Sequence, residues 1–364
     1  MRKKSIIRVV IILISLVLLW VTYNTRWIWL DYLTAPPVNF IENEDISLAL
    51  YPEGHRSASI FTNFLSSSDI PAEAIKILRF RLMNLGIRGT FFISPFQTEI
   101  GELTKKDPYF WELVDLQDLG FEIAQDGAGR NYNLVRGEED SVVRGKDILT
   151  GLGLRVRGYR SSLTVSNGNV ENILDREGFL YDCLSSAPPI TAWTVLFPIF
   201  RGSVIIPFHP KGMKLLEFVS RGEPVPHPKK ARKIFENIHK RGGVFIFRTE
   251  LPRVREEGNL AILENFLRYI KEKDTWICTL EELSDWWLAR EKVGITTSRA
   301  GNILNIIYDN QTPIEMRNAR FNFKNISSRP KMYRVMDRAG EVTAEGFIPE
   351  TGWINVTLFP YIGE

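Results

Sequence analysis

The sequence is poor in the side chains that most often hold metals or cross-link exported proteins, with four histidines and two cysteines in 364 residues. Cys183 and Cys278 are too few for a disulfide framework, and neither sits in a CxxC or Cys/His pattern of zinc-ligand spacing. They read as two ordinary thiols or as one bridge. His55, His209, His227 and His239 are isolated: none has a second histidine three or four positions away. His209, in Phe208-His209-Pro210, follows an extended run and reads as a solvated loop residue. Nor is one charge in excess, because 46 Lys and Arg stand against 43 Asp and Glu, a net of +3. Part of that small excess is Arg2, Lys3, Lys4 and Arg8 at the N-terminus. Composition therefore gives no sign of a nucleic-acid partner.

Long hydrophobic runs are also scarce, and the one that exists lies near the start. From Ile6 to Tyr23 the chain is apolar except for Arg8, whose long side chain reaches back toward lipid headgroups. At about 1.5 Å per residue this run makes about 27 Å, close to the ~30 Å hydrocarbon core of a bilayer. Trp27, Trp29 and Tyr32 follow as an interfacial aromatic belt, and the basic cluster precedes the run. The expectation is an uncleaved signal anchor over residues 1–30, with a cytoplasmic N-terminus and the bulk of the chain extracytoplasmic, since no small-residue cleavage site follows the run. Ala35-Pro36-Pro37 marks the exit, and residues 31–56 read as a tether or a peripheral strand.

Beyond residue 57 the period changes. Short apolar strands at Ser57–Thr62, Gly89–Ile93, Phe121–Ala124, Arg155–Tyr159, Leu180–Cys183, Ser203–Pro207, Gly243–Phe247 and Thr275–Cys278 alternate with amphipathic helices. The helices fall at Pro71–Leu85, Phe110–Leu119, Glu139–Thr150, Asn169–Glu177, Lys229–Arg241, Asn259–Lys271 and Leu280–Trp287. This alternation predicts a parallel sheet, and the number of units favours a distorted (β/α) barrel over residues 57–290. The helical period then stops. Period-two runs at Asn302–Tyr308, Arg317–Phe323, Lys331–Met336, Glu341–Phe347 and Trp353–Leu358 predict a small antiparallel, sandwich-like β module over residues 295–364. Its expected part is structural or adhesive, with glycan binding as the second reading. Three glycosylation sequons fall there, at Asn310, Asn325 and Asn355, and they matter only in a host that glycosylates exported proteins.

Several stretches of the α/β region, taken in order, carry a resemblance. They are Leu85-Gly86-Ile87-Arg88-Gly89-Thr90-Phe91-Phe92-Ile93, then Gly120-Phe121-Glu122-Ile123-Ala124, Gly158-Tyr159-Arg160 and Glu177-Gly178-Phe179-Leu180-Tyr181-Asp182. Gly242 to Phe247 and Trp276 to Leu283 complete the set. From Ser57 to Trp287 the chain resembles the polysaccharide deacetylase family, also called the NodB homology domain or carbohydrate esterase family four. The resemblance implies a divalent metal such as zinc held by one Asp and two His, which polarises an acetyl carbonyl and activates water. It also implies a second Asp as base and a late-strand His as acid.

Those roles are vacant in this sequence. Asn63 and Phe64 stand where the resemblance expects the Asp pair, and neither supplies a base or a ligand. Asp126 and Arg130 stand at the spaced histidines, and Arg130 places a permanent cation where a divalent ion would bind. The late histidine should fall among Arg248, Thr249 and Glu250, where there is none. Asp69, just before Pro71, reads as a helix-entry residue rather than a displaced carboxylate. Asp126 and Arg130 keep a spacing that permits an ion pair. Arg160 stands where the resemblance implies an arginine that orients the catalytic Asp, with Asn63 now in that partner's place, and Asn63, Asp126, Arg130 and Arg160 form either a polar plug at the barrel mouth or a set of solvated loop residues. Trp111, Tyr132, Tyr159 and Trp193, with Arg160, are candidates for holding a glycan if exposed.

The expectation is thus no bound cofactor, and three functional classes stay open. The first is a noncatalytic envelope protein that binds polysaccharide or assists an enzyme acting on it. An active deacetylase of an N- or O-acetylated polysaccharide using unorthodox ligands such as Asp126 and Glu250 is the second. The third is a structural cell-surface protein.

Overall fold

A computed structural model describes residues 41–65, 71–97, 101–127, 137–161, 168–184, 209, 213–220, 222–256, 258–324 and 331–361. The anchor expected in residues 1–30, the first part of the tether and the strand expected at 203–207 lie outside them. Among the described residues no helix is long and apolar enough to cross a membrane.

In chain order the strands are β1 (Ile46–Leu48), β2 (Ser57–Leu65), β3 (Thr90–Ile93), β4 (Phe96–Gln97), β5 (Gly101–Glu102), β6 (Glu122–Asp126), β7 (Gly158–Arg160), β8 (Tyr181–Leu184) and β9 (Leu216–Val219). They continue as β10 (Val244–Glu250), β11 (Thr275–Ile277), β12 (Val293–Ala300), β13 (Ile303–Asn310), β14 (Met316–Phe323), β15 (Met332–Met336), β16 (Val342–Phe347) and β17 (Trp353–Leu358). The central sheet runs β10-β2-β3-β6-β7-β8-β9, with β11 also against β2, and every pairing in it is parallel. It curls into a half-barrel, so that Gly222, just past β9, makes a parallel bridge to Phe247 of β10.

Both faces of this sheet are covered, which is why its strands are apolar at successive positions rather than alternately. Ala58, Ile60, Phe64, Phe92, Ala124, Tyr181, Cys183, Phe218 and Ile246 pack together inside the curl. Phe61, Leu65, Phe91, Ile93, Ile123, Phe245 and Phe247 face the helices. The helices form where the sequence repeats an apolar face. In Ala72–Asn84 the buried residues are Ala74, Ile75, Leu78 and Leu82, and Gly86 at φ 64 ends the turn beyond it. Leu280–Glu291 starts at a capping box, in which Thr279 and Glu282 satisfy each other's backbone N–H groups.

Two further sheets, β1-β14-β17 and β12-β13-β15-β16, formed beyond residue 292 except for β1, enclose one core that includes Ile46, Ile306, Tyr308, Phe321, Val335, Ile354 and Leu358. An all-antiparallel module was expected, but β13 and β15 pair in parallel. The chain crosses to the other sheet as β14 between them, so the two neighbours run the same way. Within the segment read as a tether or a peripheral strand, Ile46–Leu48 pairs with β14. The strand expected at Arg155–Tyr159 begins only at Gly158, because Arg155 and Arg157 instead reach Glu281 and Asp285 on the helix below. The elements β9, β12 and the short helix Leu251–Val254 were not anticipated.

Candidate functional site

Strands of the curled sheet deliver their carboxyl ends to one rim, and alternation decides which side chains point into the curl. On β2 the inward residue is Phe64, next to inward Ile60, while Asn63 shares the outward side with Phe61. Asp126 ends β6 and Arg160 ends β7, and the two are cross-strand partners. Arg160 Nη1 donates to Asp126 Oδ1 at 2.7 Å, and its guanidinium carbon lies 3.7 Å from the centroid of the Phe64 ring. The side chains are 15% and 5% exposed, so the pair is largely withdrawn from water. Burial pushes the Asp126 carboxyl up from its ordinary range, against the opposing pull of Arg160.

The polar plug read from the sequence is therefore partly different in composition. Asn63 points away from it and donates to Thr249 Oγ1 at 2.8 Å on the outer side. Among the described residues Asp126 pairs with Arg160. Arg130, Tyr132 and Trp193 lie outside the described residues. Arg248 pairs with Glu223, which also attracts Arg253 at 3.6 Å, while Glu250 is held by Arg253 at 3.0 Å. Of the candidate stacking faces, Trp111 is 62% exposed in the first turn of its helix. Tyr159 is buried beneath the helices with its ring edge against Phe179 and offers no free face. The reason is strand direction: Tyr159 and Arg160 are adjacent, so they point to opposite sides of the sheet. His209, read as a solvated loop residue, is tied to Glu291 Oε2 at 2.7 Å and to the Leu215 carbonyl at 2.9 Å.

Two buried carboxylates were not assigned a part from the sequence. Asp182 accepts from Ser161 N at 2.9 Å and Ser161 Oγ at 2.5 Å, and burial holds its pKa at about 6. Glu122 lies deeper. It accepts from Thr90 Oγ1 and Tyr181 Oη, each at 2.7 Å, and from the Glu281 N–H at 2.9 Å, and burial raises it to about 7. Both sit inside stretches that carried the resemblance, but only the fold reveals what they bind.

No protein-family model matches the sequence, and no curated protein does either. Solved structures do. One described as a polysaccharide deacetylase from Mycobacterium smegmatis superposes with a TM-score of 0.52 at 17% identity, over 70% of this chain and 97% of that one. The chain has the fold of the polysaccharide deacetylases. A second such protein, from Pseudomonas aeruginosa PAO1, gives 0.49 at 13% identity over 65% and 92% of the two chains. A mutant of a CE4-family pseudoenzyme gives 0.37 at 10% identity over 63% and 67%.

A deacetylase-fold site built for a divalent ion needs lone pairs converging at the rim. Among the described residues no group of three His, Cys, Asp or Glu side chains does so. The described rim instead presents a donor. The Arg160 guanidinium rests on Phe64 with its Nε buried and unpartnered, and Asp126 is committed to it. These residues do not fit a divalent ion, because the Asp126 carboxylate is paired with Arg160 and the Phe64 ring offers no lone pair to a metal.

Proposed function

We propose that this chain is a noncatalytic, membrane-anchored protein of the cell envelope, built on the polysaccharide deacetylase fold, which binds a polysaccharide or assists an enzyme that acts on one. The observation that carries the reading is the Arg160 guanidinium stacked on Phe64 and paired with Asp126 at the rim. With Asp126 held by Arg160, and Asn63 and Phe64 in place of the expected Asp pair, these positions offer no free carboxylate to hold a Lewis acid or to act as base. Catalysis through Asp126 and Glu250 as unorthodox ligands is disfavoured for the same reason, since each carboxylate is engaged by an arginine, Asp126 by Arg160 and Glu250 by Arg253. Anchoring is supported by the basic residues Arg2 to Arg8 ahead of the apolar run.

The test uses the full chain solubilised in detergent. Elemental analysis should find no stoichiometric zinc, and acetylated chitooligosaccharides and peptidoglycan fragments should release no acetate with or without added zinc. About one tightly held metal per chain, with acetate release abolished by a chelator, would falsify the noncatalytic reading.

A further inference from the structure

We propose that the outer face of the β1-β14-β17 sheet is a binding site for an extended acidic polysaccharide. On β17 the residues Ile354, Val356 and Leu358 are buried in the sandwich core. Trp353, Asn355 and Thr357 therefore point to the opposite, outer side. Phe359, just beyond, is 48% exposed. On β14 the cross-strand neighbours of this row are Arg320 opposite Asn355 and Asn322 opposite Trp353, and Ser47 of β1 lies opposite Asn322. The result is a strip with an aromatic ring at each end and amides, hydroxyls and one guanidinium between. From Trp353 to Phe359 it runs about 20 Å at a strand rise of about 3.3 Å per residue, the reach of an oligosaccharide rather than a single sugar.

Arg320 is the centre of the strip and is fixed in place. Its guanidinium carbon lies 3.9 Å from the centroid of the Trp353 ring, and its Nε donates to Asn355 Oδ1 at 3.2 Å. The turn Pro52–Gly54 closes on its other side, where a methyl group on Gly54 would overlap the arginine side chain. That turn is in turn tied to the sheet by Asn318 Nδ2 donating to Glu53 Oε1 at 2.9 Å. Arg320 forms no ion pair among the described residues; its Nε is engaged by Asn355 and its Nη1 lies against Gly54, which fixes the half-buried guanidinium as the one positive charge of the strip.

The chemistry of the strip selects among partners. Sugar rings offer C–H faces for Trp353 and Phe359, and hydroxyls for Asn322, Asn355 and Thr357. A nucleic acid would need several phosphate-neutralising cations along the strip, and a protein partner would need a contiguous apolar centre. The inference rests on the proposed function only for the class of ligand, and the site lies on the β module rather than on the deacetylase-fold rim.

The test is isothermal titration calorimetry of the full chain in detergent micelles with oligogalacturonate and, separately, with neutral xylo-oligosaccharides. Oligogalacturonate should bind, with affinity falling as salt is raised. Arg320→Gln and Phe359→Ala should each weaken it at least tenfold, whereas Phe347→Ala, an exposed residue on β16 of the other sheet, should not change it. Phe359→Ala is a surface change, so its loss of binding with an unaltered melting curve separates a contact from a folding defect. Absence of binding by the unmodified chain, equal binding of the neutral oligosaccharides, or full affinity in both variants would each overturn the proposal. Acetate release or bound zinc would bear on the rim and leave this face unaffected.

Discussion

Arg160 satisfies two neighbours of different kinds, a carboxylate and an aromatic ring, and its worth comes from their withdrawal from water. A cation over a desolvated ring is worth about 2 kcal/mol, and removing one member of a buried ion pair costs about 3–5 kcal/mol because its partner is left charged and unpaired. Arg160→Gln should therefore lower the unfolding free energy by about 3 kcal/mol. The double change Arg160→Met with Asp126→Leu should recover most of that loss, since no buried charge remains. Chemical denaturation of the two variants decides the point, and equal destabilisation by both would show that the pair itself is the source of stability. Glu122 makes a second residue-scale prediction. Its folded pKa of about 7 is raised above the usual carboxylate range, so the folded state holds this proton more tightly than the unfolded chain. Stability from this group is full below about pH 4.5 and declines as pH rises through about 7, by on the order of 3 kcal/mol. Glu122→Gln should flatten that part of the stability profile. The residues of the rim were legible in the sequence by position, but their partners were not. Asp126 and Arg160 meet because β6 and β7 are adjacent strands, and spacing along the chain carries no trace of that.

Among the elements, the short strand β7 depends on a missing side chain. A Cβ on Gly158 would overlap the Tyr181 phenol, which passes over this position toward Glu122. Gly158→Ala should displace Tyr181 and cost about 1–3 kcal/mol, as overpacking of a filled core does. The same variant should release the hydroxyl from Glu122, which a shift in the pH profile described above would report. Helices such as Asn259–Lys271 were readable because Leu263, Phe266, Leu267 and Ile270 repeat at helical spacing. The elements that escaped are those whose signal is weak. Leu216–Val219 is four residues, too short to show a period, and Val293–Ala300 alternates largely through Gly, Thr and Ser rather than through apolar side chains. Ile46–Leu48 is too short to show any period, and only its antiparallel partner makes it a strand.

At the scale of the whole molecule, the curled sheet and the β module are joined by residues 45–51 and one face of the helix Leu280–Glu291. Trp286 Nε1 donates to the Leu50 carbonyl at 2.8 Å, buried Arg290 donates through Nε to the Ala49 carbonyl at 3.3 Å, and Tyr51 Oη donates to the Gly242 carbonyl at 3.0 Å. Trp286 packs in the module core and Trp287 in the core inside the curl. The two parts should therefore melt as one transition in scanning calorimetry. Trp286→Ala should split it in two, while a single transition persisting in that variant would locate the coupling elsewhere. The proposed topology adds a separate expectation: protease outside intact cells or spheroplasts should reach the body of the chain but leave Arg2 to Arg8 intact.

The pairing of β1 has a consequence for how the chain comes to be made. Lys324 meets Glu42 across 282 residues of sequence, and β1 completes a sheet whose other two strands come near the end of the chain. Closing so long a loop is entropically dearer than closing a short one only by a logarithm of its length, so the difficulty is timing rather than final stability. A growing chain holds Ile46 and Leu48 without their partner strand until β14 has been synthesised. A chain cut short before Met316 therefore displays an apolar edge from its own beginning, a mark by which proteases can distinguish an unfinished copy from a complete one.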